Sequence, residues 1–348
     1  MTTAKRNFLM DIVLIRLLLI GLLIIYHAFA IHTNSWRPPY SQFEPIAIYN
    51  WFGMLTHIAQ LEAMVFISGL LLGYHTVHKP GSLNFHSCVI KKSKRILLPC
   101  IIFGIIYYIL FYDLSASPIT MIYRILNGCG HLWFLPMIFW CFVFTYFITT
   151  QLPPPICYIM LTASLMVAII NPLGFLPFGL GSVGNYFLYF YMGFCIKQGL
   201  IKLPSFSKQN ISLALFLFAT SFIAFMLVRE CWQISNNLTE KIIHRTVFGS
   251  LHVLSALTAI FCLYRIANKE KVINYLKSKP VLITLSGYCY GVYIYQQFIL
   301  QILYYKTSLP LQVNIYWLPW TASFITLVLS VLLCHLTLKF KWGRFLIG

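Results

Sequence analysis

Two side chains in the first long apolar stretch, MDIVLIRLLLIGLLIIYHAFAIH at residues 10–32, are of types that do chemistry. Arg16 is a permanent cation with a planar fork of donors, and His27 exchanges protons near neutral pH. They stand eleven residues apart. At about 100° per residue that spacing closes to within about 20° of three turns, so a helix carries both on one face, about 16 Å apart along its axis. Two readings fit this spacing. A charge inside a membrane span is costly and by default marks a functional site. Alternatively, Arg16 extends its guanidinium to one interface and His27 sits among the headgroups at the other.

Acidic partners are scarce, with seven Asp and Glu in the chain. Glu62 lies deep in the apolar run HIAQLEAMVFISGLLLGY, where a carboxylate must face other helices and find a partner or a proton. It reads either as a hydrogen-bonded residue that fixes packing or as the group that orients or charges a catalytic histidine. Ser68, Gly69 and Gly73 on the same run give a small-residue face for close helix approach. His131 opens another run, GCGHLWFLPMIFW, with Gly128 and Gly130 freeing the backbone before it. It reads as a site histidine on the same side of the membrane as His27, or as an interfacial residue beside Trp133. His32, His57, His244 and His252 read as interfacial or packed. His75, His78 and His86 belong with Lys91 to Arg95 on a solvated or anion-binding face.

The elements that must position these residues are membrane helices. The chain is 59% hydrophobic and 9% charged across 348 residues, far from the composition of a soluble domain. Ten apolar stretches are expected to span, near residues 9–31, 52–74, 96–112, 131–150, 156–172, 183–200, 210–228, 246–266, 281–304 and 319–338. The fifth begins at the Pro153–Pro155 run. With the N-terminus inside, 18 of the 25 Lys and Arg, including Lys5, Arg6 and Lys79, fall on the cytoplasmic side and six fall outside. That bias gives both termini to the cytoplasm and explains the net charge of +18 without a nucleic-acid partner. It sets Arg16 in the inner half of its span and His27 in the outer half. The expectation is an all-α, polytopic bundle forming one membrane-embedded domain over residues 1–348, with no cleaved signal and no appended soluble domain. The longest connections, near 32–51, 112–130 and 229–245, could line a cavity or form a lid. The ten cysteines are scattered without C-x-x-C or metal spacing and read as packing residues, so no metal is expected.

Five stretches in order carry a family resemblance over essentially the whole chain. They are Asp11 with the Arg16–His27 spacing; EAMVFISGLLLGY at 62–74; KRILLP at 94–99; HLWFL at 131–135; and SGYCYGVYIYQ at 286–296. Together they resemble the integral-membrane acyltransferase 3 superfamily, whose bacterial members acylate sugars of surface polysaccharides and related acceptors. In the last stretch Gln296 stands where the family usually has His, so no role is carried to that position.

The resemblance implies an O-acetyltransferase of the bacterial inner membrane. Acetyl-CoA or another acyl-CoA would be the donor, bound from the cytoplasm, and a glycan or lipid-linked sugar the acceptor. It makes His27 the catalytic base or the site of an acyl-histidine, with Glu62 orienting or charging it. Arg16, Lys94 and Arg95 are the cations for the CoA phosphates, and His131 and Trp133 the residues for the acceptor. A transporter or flippase of ten spans, an N-acyltransferase of an amino sugar, and an inactive partner of a glycan-assembly complex are the competing readings.

Overall fold

The computed structural model describes residues 3–78, 84–151, 156–204, 207–234 and 237–348, and their side chains except for residues 3–9 and 151. Lys79, Pro153–Pro155 and the side chains of Lys5 and Arg6 therefore lie outside the described residues. The architecture is all-helical, with 80% of the chain in helix and no strand among the described residues. In chain order the helices are α1 (Thr3–Phe29), α2 (Ala47–His57), α3 (Gln60–His78), α4 (Phe85–Lys92), α5 (Leu98–Phe111) and α6 (Pro118–Asn127). Next come α7 (Phe134–Gln151), α8 (Ile156–Ile170), α9 (Leu180–Lys197), α10 (Lys208–Cys231) and α11 (Leu238–Ala267). The chain closes with α12 (Glu270–Lys277), α13 (Pro280–Tyr305), α14 (Leu309–Gln312), α15 (Leu318–Thr337) and α16 (Lys341–Ile347).

Nine of the ten expected stretches fall mainly on one of these helices each, and the second, 52–74, is divided between α2 and α3. Among the described residues, seven helical segments are long and apolar enough to cross a membrane: 10–29, 47–78, 85–111, 130–150, 208–231, 238–267 and 318–337. Helix α8 is apolar but only 15 residues long. Helices α9 and α13 carry polar residues such as Asn185, Gln296 and Gln297, and both are central to their surroundings rather than peripheral. A helix lined by other helices does not need an apolar surface all round.

The chain divides into two compact units. The first comprises residues 1–61 and 261–348. Here α13 is the hub, packing on α1, α12, α14 and α15, while α1 also meets α2, α12 and α15. A buried core of Ala28, Phe29, Ile31, Phe43, Leu300, Tyr304, Leu318 and Ala322 closes this unit around the end of α1.

The second unit, residues 62–260, is built on α9, which packs on α7 and α8. Helix α9 also approaches α3 closely. A Cβ on Gly69 would run into the Phe190 carbonyl, and one on Gly193 into the Phe66 carbonyl. Of the small face read from Ser68, Gly69 and Gly73, Gly69 thus makes a backbone-to-backbone contact, and Gly73 lies against Lys197 and the Phe194 carbonyl.

The second expected span is not one continuous helix. Residues 58–59 form a turn between α2 and α3, so Glu62 stands in the first turn of α3. There the unsatisfied N–H groups and the helix dipole favour a negative charge.

Candidate active site

Arg16 and His27 lie on the single uninterrupted helix α1, as the spacing requires. Arg16 is exposed and makes no ion pair among the described residues; Cys289 of α13 is close enough to couple to it electrostatically. His27 is half-buried. Its Nδ1 lies 3.0 Å from Oε1 of Gln296 on α13. A carbonyl oxygen only accepts, so the ring donates through Nδ1–H and keeps the lone pair on Nε2. That tautomer suits a base.

The chain after α1 folds back to cover this histidine. Asn34 takes a left-handed conformation (φ 59°), which Asn tolerates better than most residues. Thr33 Oγ1 donates to the Ser35 hydroxyl at 2.9 Å, and the Trp36 N–H donates to the Ala30 carbonyl at 3.1 Å. The reversal stacks the Trp36 ring on His27, with centroids 5.9 Å apart and planes 17° from parallel. His57 lies within electrostatic reach of His27 and stacks on Tyr26 at 4.0 Å. His32 is packed, as the sequence suggests: it is 1% exposed and its Nδ1 accepts the Ile46 N–H at 3.1 Å. It fastens the loop that carries Trp36.

In the second unit Glu62 is 1% exposed, and its Oε1 lies 3.2 Å from Nε2 of His252 on α11. The histidine beside Glu62 is thus His252, which the sequence reading set among the interfacial or packed residues. One signal was present: in the ten-span topology both residues fall in the outer half of their spans. The Tyr189 hydroxyl, fully buried on α9, also feels the Glu62 carboxylate.

His131 sits in a 3-10 turn, Gly130–Trp133, that leads into α7. It is buried, with its ring 6.2 Å from that of Tyr107, while Trp133 is half-buried at 5.8 Å from Tyr186. Both glycines before it are required. Gly128 (φ 83°) lies against the backbone of Trp133, and Gly130 (φ 55°) against the Tyr107 ring. Lys94 and Arg95 occupy a π turn, Ser93–Leu97, between α4 and α5. Pro99 has no N–H to offer the Arg95 carbonyl, and the helix widens there. Both cations are exposed, and the neighbouring Lys92 ammonium caps the Phe142 ring at 3.5 Å.

No group of three or more His, Cys, Asp or Glu with metal-binding geometry occurs among the described residues. A family model described as an acyltransferase domain, acyltransferase 3, matches residues 11–339. No curated protein and no solved structure matches the chain.

Proposed function

The chain belongs to the acyltransferase 3 family, and from that premise we propose that it moves an acetyl or other acyl group from acyl-CoA to a sugar hydroxyl. The acceptor in this reading is a cell-surface glycan or its lipid-linked precursor, and the location the bacterial inner membrane. The observation that carries it is the 3.0 Å contact between His27 Nδ1 and the Gln296 amide oxygen, which leaves Nε2 to act as base.

In the proposed step, Nε2 of His27 takes the proton of the acceptor hydroxyl as that oxygen attacks the thioester carbonyl. The new C–O bond forms and the C–S bond breaks. The CoA thiolate leaves and recovers the proton from His27, so the enzyme returns to its starting state. Arg16, about 16 Å along α1 from His27, is proposed to bind a phosphate of CoA, a task suited to a guanidinium with no ion pair among the described residues. The exposed Lys94 and Arg95 are carried over from the family resemblance as further candidate cations for the donor. His131 and Trp133 are proposed for the acceptor. Glu62 enters the proposal with His252 as its partner.

The test uses the purified full-length protein, acetyl-CoA and isolated envelope glycan, with thiol release and glycan mass both followed. The expected result is acceptor-dependent release of CoA with a gain of one acetyl unit on the glycan, both lost in His27→Ala. Full activity in a folded His27→Ala protein would overturn the assignment. Glycan movement across a membrane without thiol release would favour the transporter reading.

A further inference from the structure

The first unit contains a cavity of about 500 Å³ whose lining includes Arg37, Pro39, Tyr40, Tyr304, Tyr305 and Pro310. That volume lies in the range of small-molecule sites. None of these residues has a part in the chemistry above. The cavity is nevertheless one ring removed from it. Trp36, stacked on His27 at 5.9 Å, also meets the rings of Tyr304 at 6.2 Å and Tyr305 at 6.4 Å.

The chemistry of the lining is specific. Tyrosine rings and prolines give flat apolar walls, which suit the C–H face of a pyranose, while the Tyr304 and Tyr305 hydroxyls are held by the Ala28 and Arg37 carbonyls. Arg37 supplies the charge. Its guanidinium lies 4.7 Å from the centre of the Tyr305 ring, and its carbonyl accepts the Tyr305 hydroxyl at 2.8 Å. Two contacts to one residue hold the arginine in place, and it makes no ion pair among the described residues. Glu44, the acid in the same loop, is exposed and is not paired with it. A fixed guanidinium without an acid binds a carboxylate through two parallel hydrogen bonds.

We propose that this cavity anchors the acceptor, and that the sugar unit it takes carries a carboxylate, as in a uronic acid. The unit bound here adjoins the one acylated, whose hydroxyl reaches His27 past Trp36. This inference rests on the acyl-transfer reading for its purpose, but its ligand chemistry is tested separately.

The experiment places the full chain in phosphatidylcholine nanodiscs and measures binding of methyl β-D-glucuronide and methyl β-D-glucoside by saturation-transfer NMR. The expected result is glucuronide binding about tenfold tighter than glucoside, with the preference abolished in Arg37→Gln and partly kept in Arg37→Lys. Arg37 is exposed, so these variants should keep the wild-type melting temperature, and that is checked alongside. Equal binding of the two sugars, or a preference that survives Arg37→Gln, would overturn the proposal. So would loss of glucuronide binding when phosphatidylglycerol is added to the nanodiscs, which reassigns the cavity to a lipid headgroup. Acceptor-dependent CoA release is scored on its own. Glucuronide preference without release keeps the subsite and rejects acyl transfer, whereas release without preference does the reverse.

Discussion

Gln296 and His27 are 269 positions apart in sequence, yet the amide oxygen of one sits 3.0 Å from Nδ1 of the other. The glutamine is fully buried, so its orientation is set by packing within α13 and its neighbours rather than by solvent. Where the family usually has His, this chain has an amide whose oxygen faces the imidazole and accepts from it. The substitution therefore keeps a hydrogen-bonding partner for His27.

Gln296→Leu removes that acceptor while keeping similar bulk. Turnover should fall about 10- to 100-fold with the KM for acyl-CoA little changed, because the lost interaction orients the base rather than binding the donor. Gln296→His should retain most of the activity. Steady-state assays of thiol release check both, and a Gln296→Leu enzyme with wild-type turnover would remove the glutamine from the mechanism.

The Glu62–His252 pair makes a separate prediction. Glu62 is almost fully buried, whereas the His252 side chain is 28% exposed, so the pair is screened on one side only. Glu62→Gln should cost about 1–2 kcal/mol and Glu62→Ala about 3 kcal/mol, the second leaving His252 without its carboxylate. A double-mutant cycle with His252→Ala, read by chemical unfolding in detergent, should give a coupling of about 1–3 kcal/mol. Strict additivity would show that the two side chains are neighbours without energetic contact.

Glycine positions separate tight from open packing. Gly69→Ala aims a methyl at the Phe190 carbonyl, a backbone atom that cannot swing aside, and should cost about 3 kcal/mol or more. Gly287, exposed on α13 with nothing near its missing Cβ, should behave oppositely. Gly287→Ala is expected to stabilise by about 0.5–1 kcal/mol through helix propensity. Thermal unfolding of the two variants side by side checks the sign of each.

What could be read from the sequence was whatever depends on one helix at a time. The Arg16–His27 face follows from the helical period, and the small face around Gly69 from residue size. The turn at His131 follows from two glycines that must take positive φ. Gln296 beside His27 and His252 beside Glu62 depend on which helices are neighbours, and single-helix periodicity carries no information on that. The break before Glu62 was also hidden, since LTHIAQLE has neither Pro nor Gly to mark it. Tyr304 and Tyr305 end a span and Arg37 opens a loop; only the fold brings them around one cavity.

His32 gives a pH dependence with a definite sign. It lies in the loop beyond α1, and burial holds its imidazole down to about 4, below the ordinary 6.5. The Ile46 N–H donates into its Nδ1 lone pair, so protonation both charges a buried ring and breaks that bond. The folded-state value is the lower one, hence the unfolded chain takes the proton first. The contribution of neutral His32 is complete above pH 6.5 and is lost as the pH falls from 6.5 toward 4. At about 1.4 kcal/mol per pKa unit, the loss is at most about 3 kcal/mol. His32→Asn keeps an acceptor for Ile46 but does not titrate. The stability of the wild type relative to this variant, from denaturant unfolding in detergent at several pH values, should decline over that interval. A difference that stays constant from pH 7 to about pH 4 would show that His32 does not remain neutral in the folded protein.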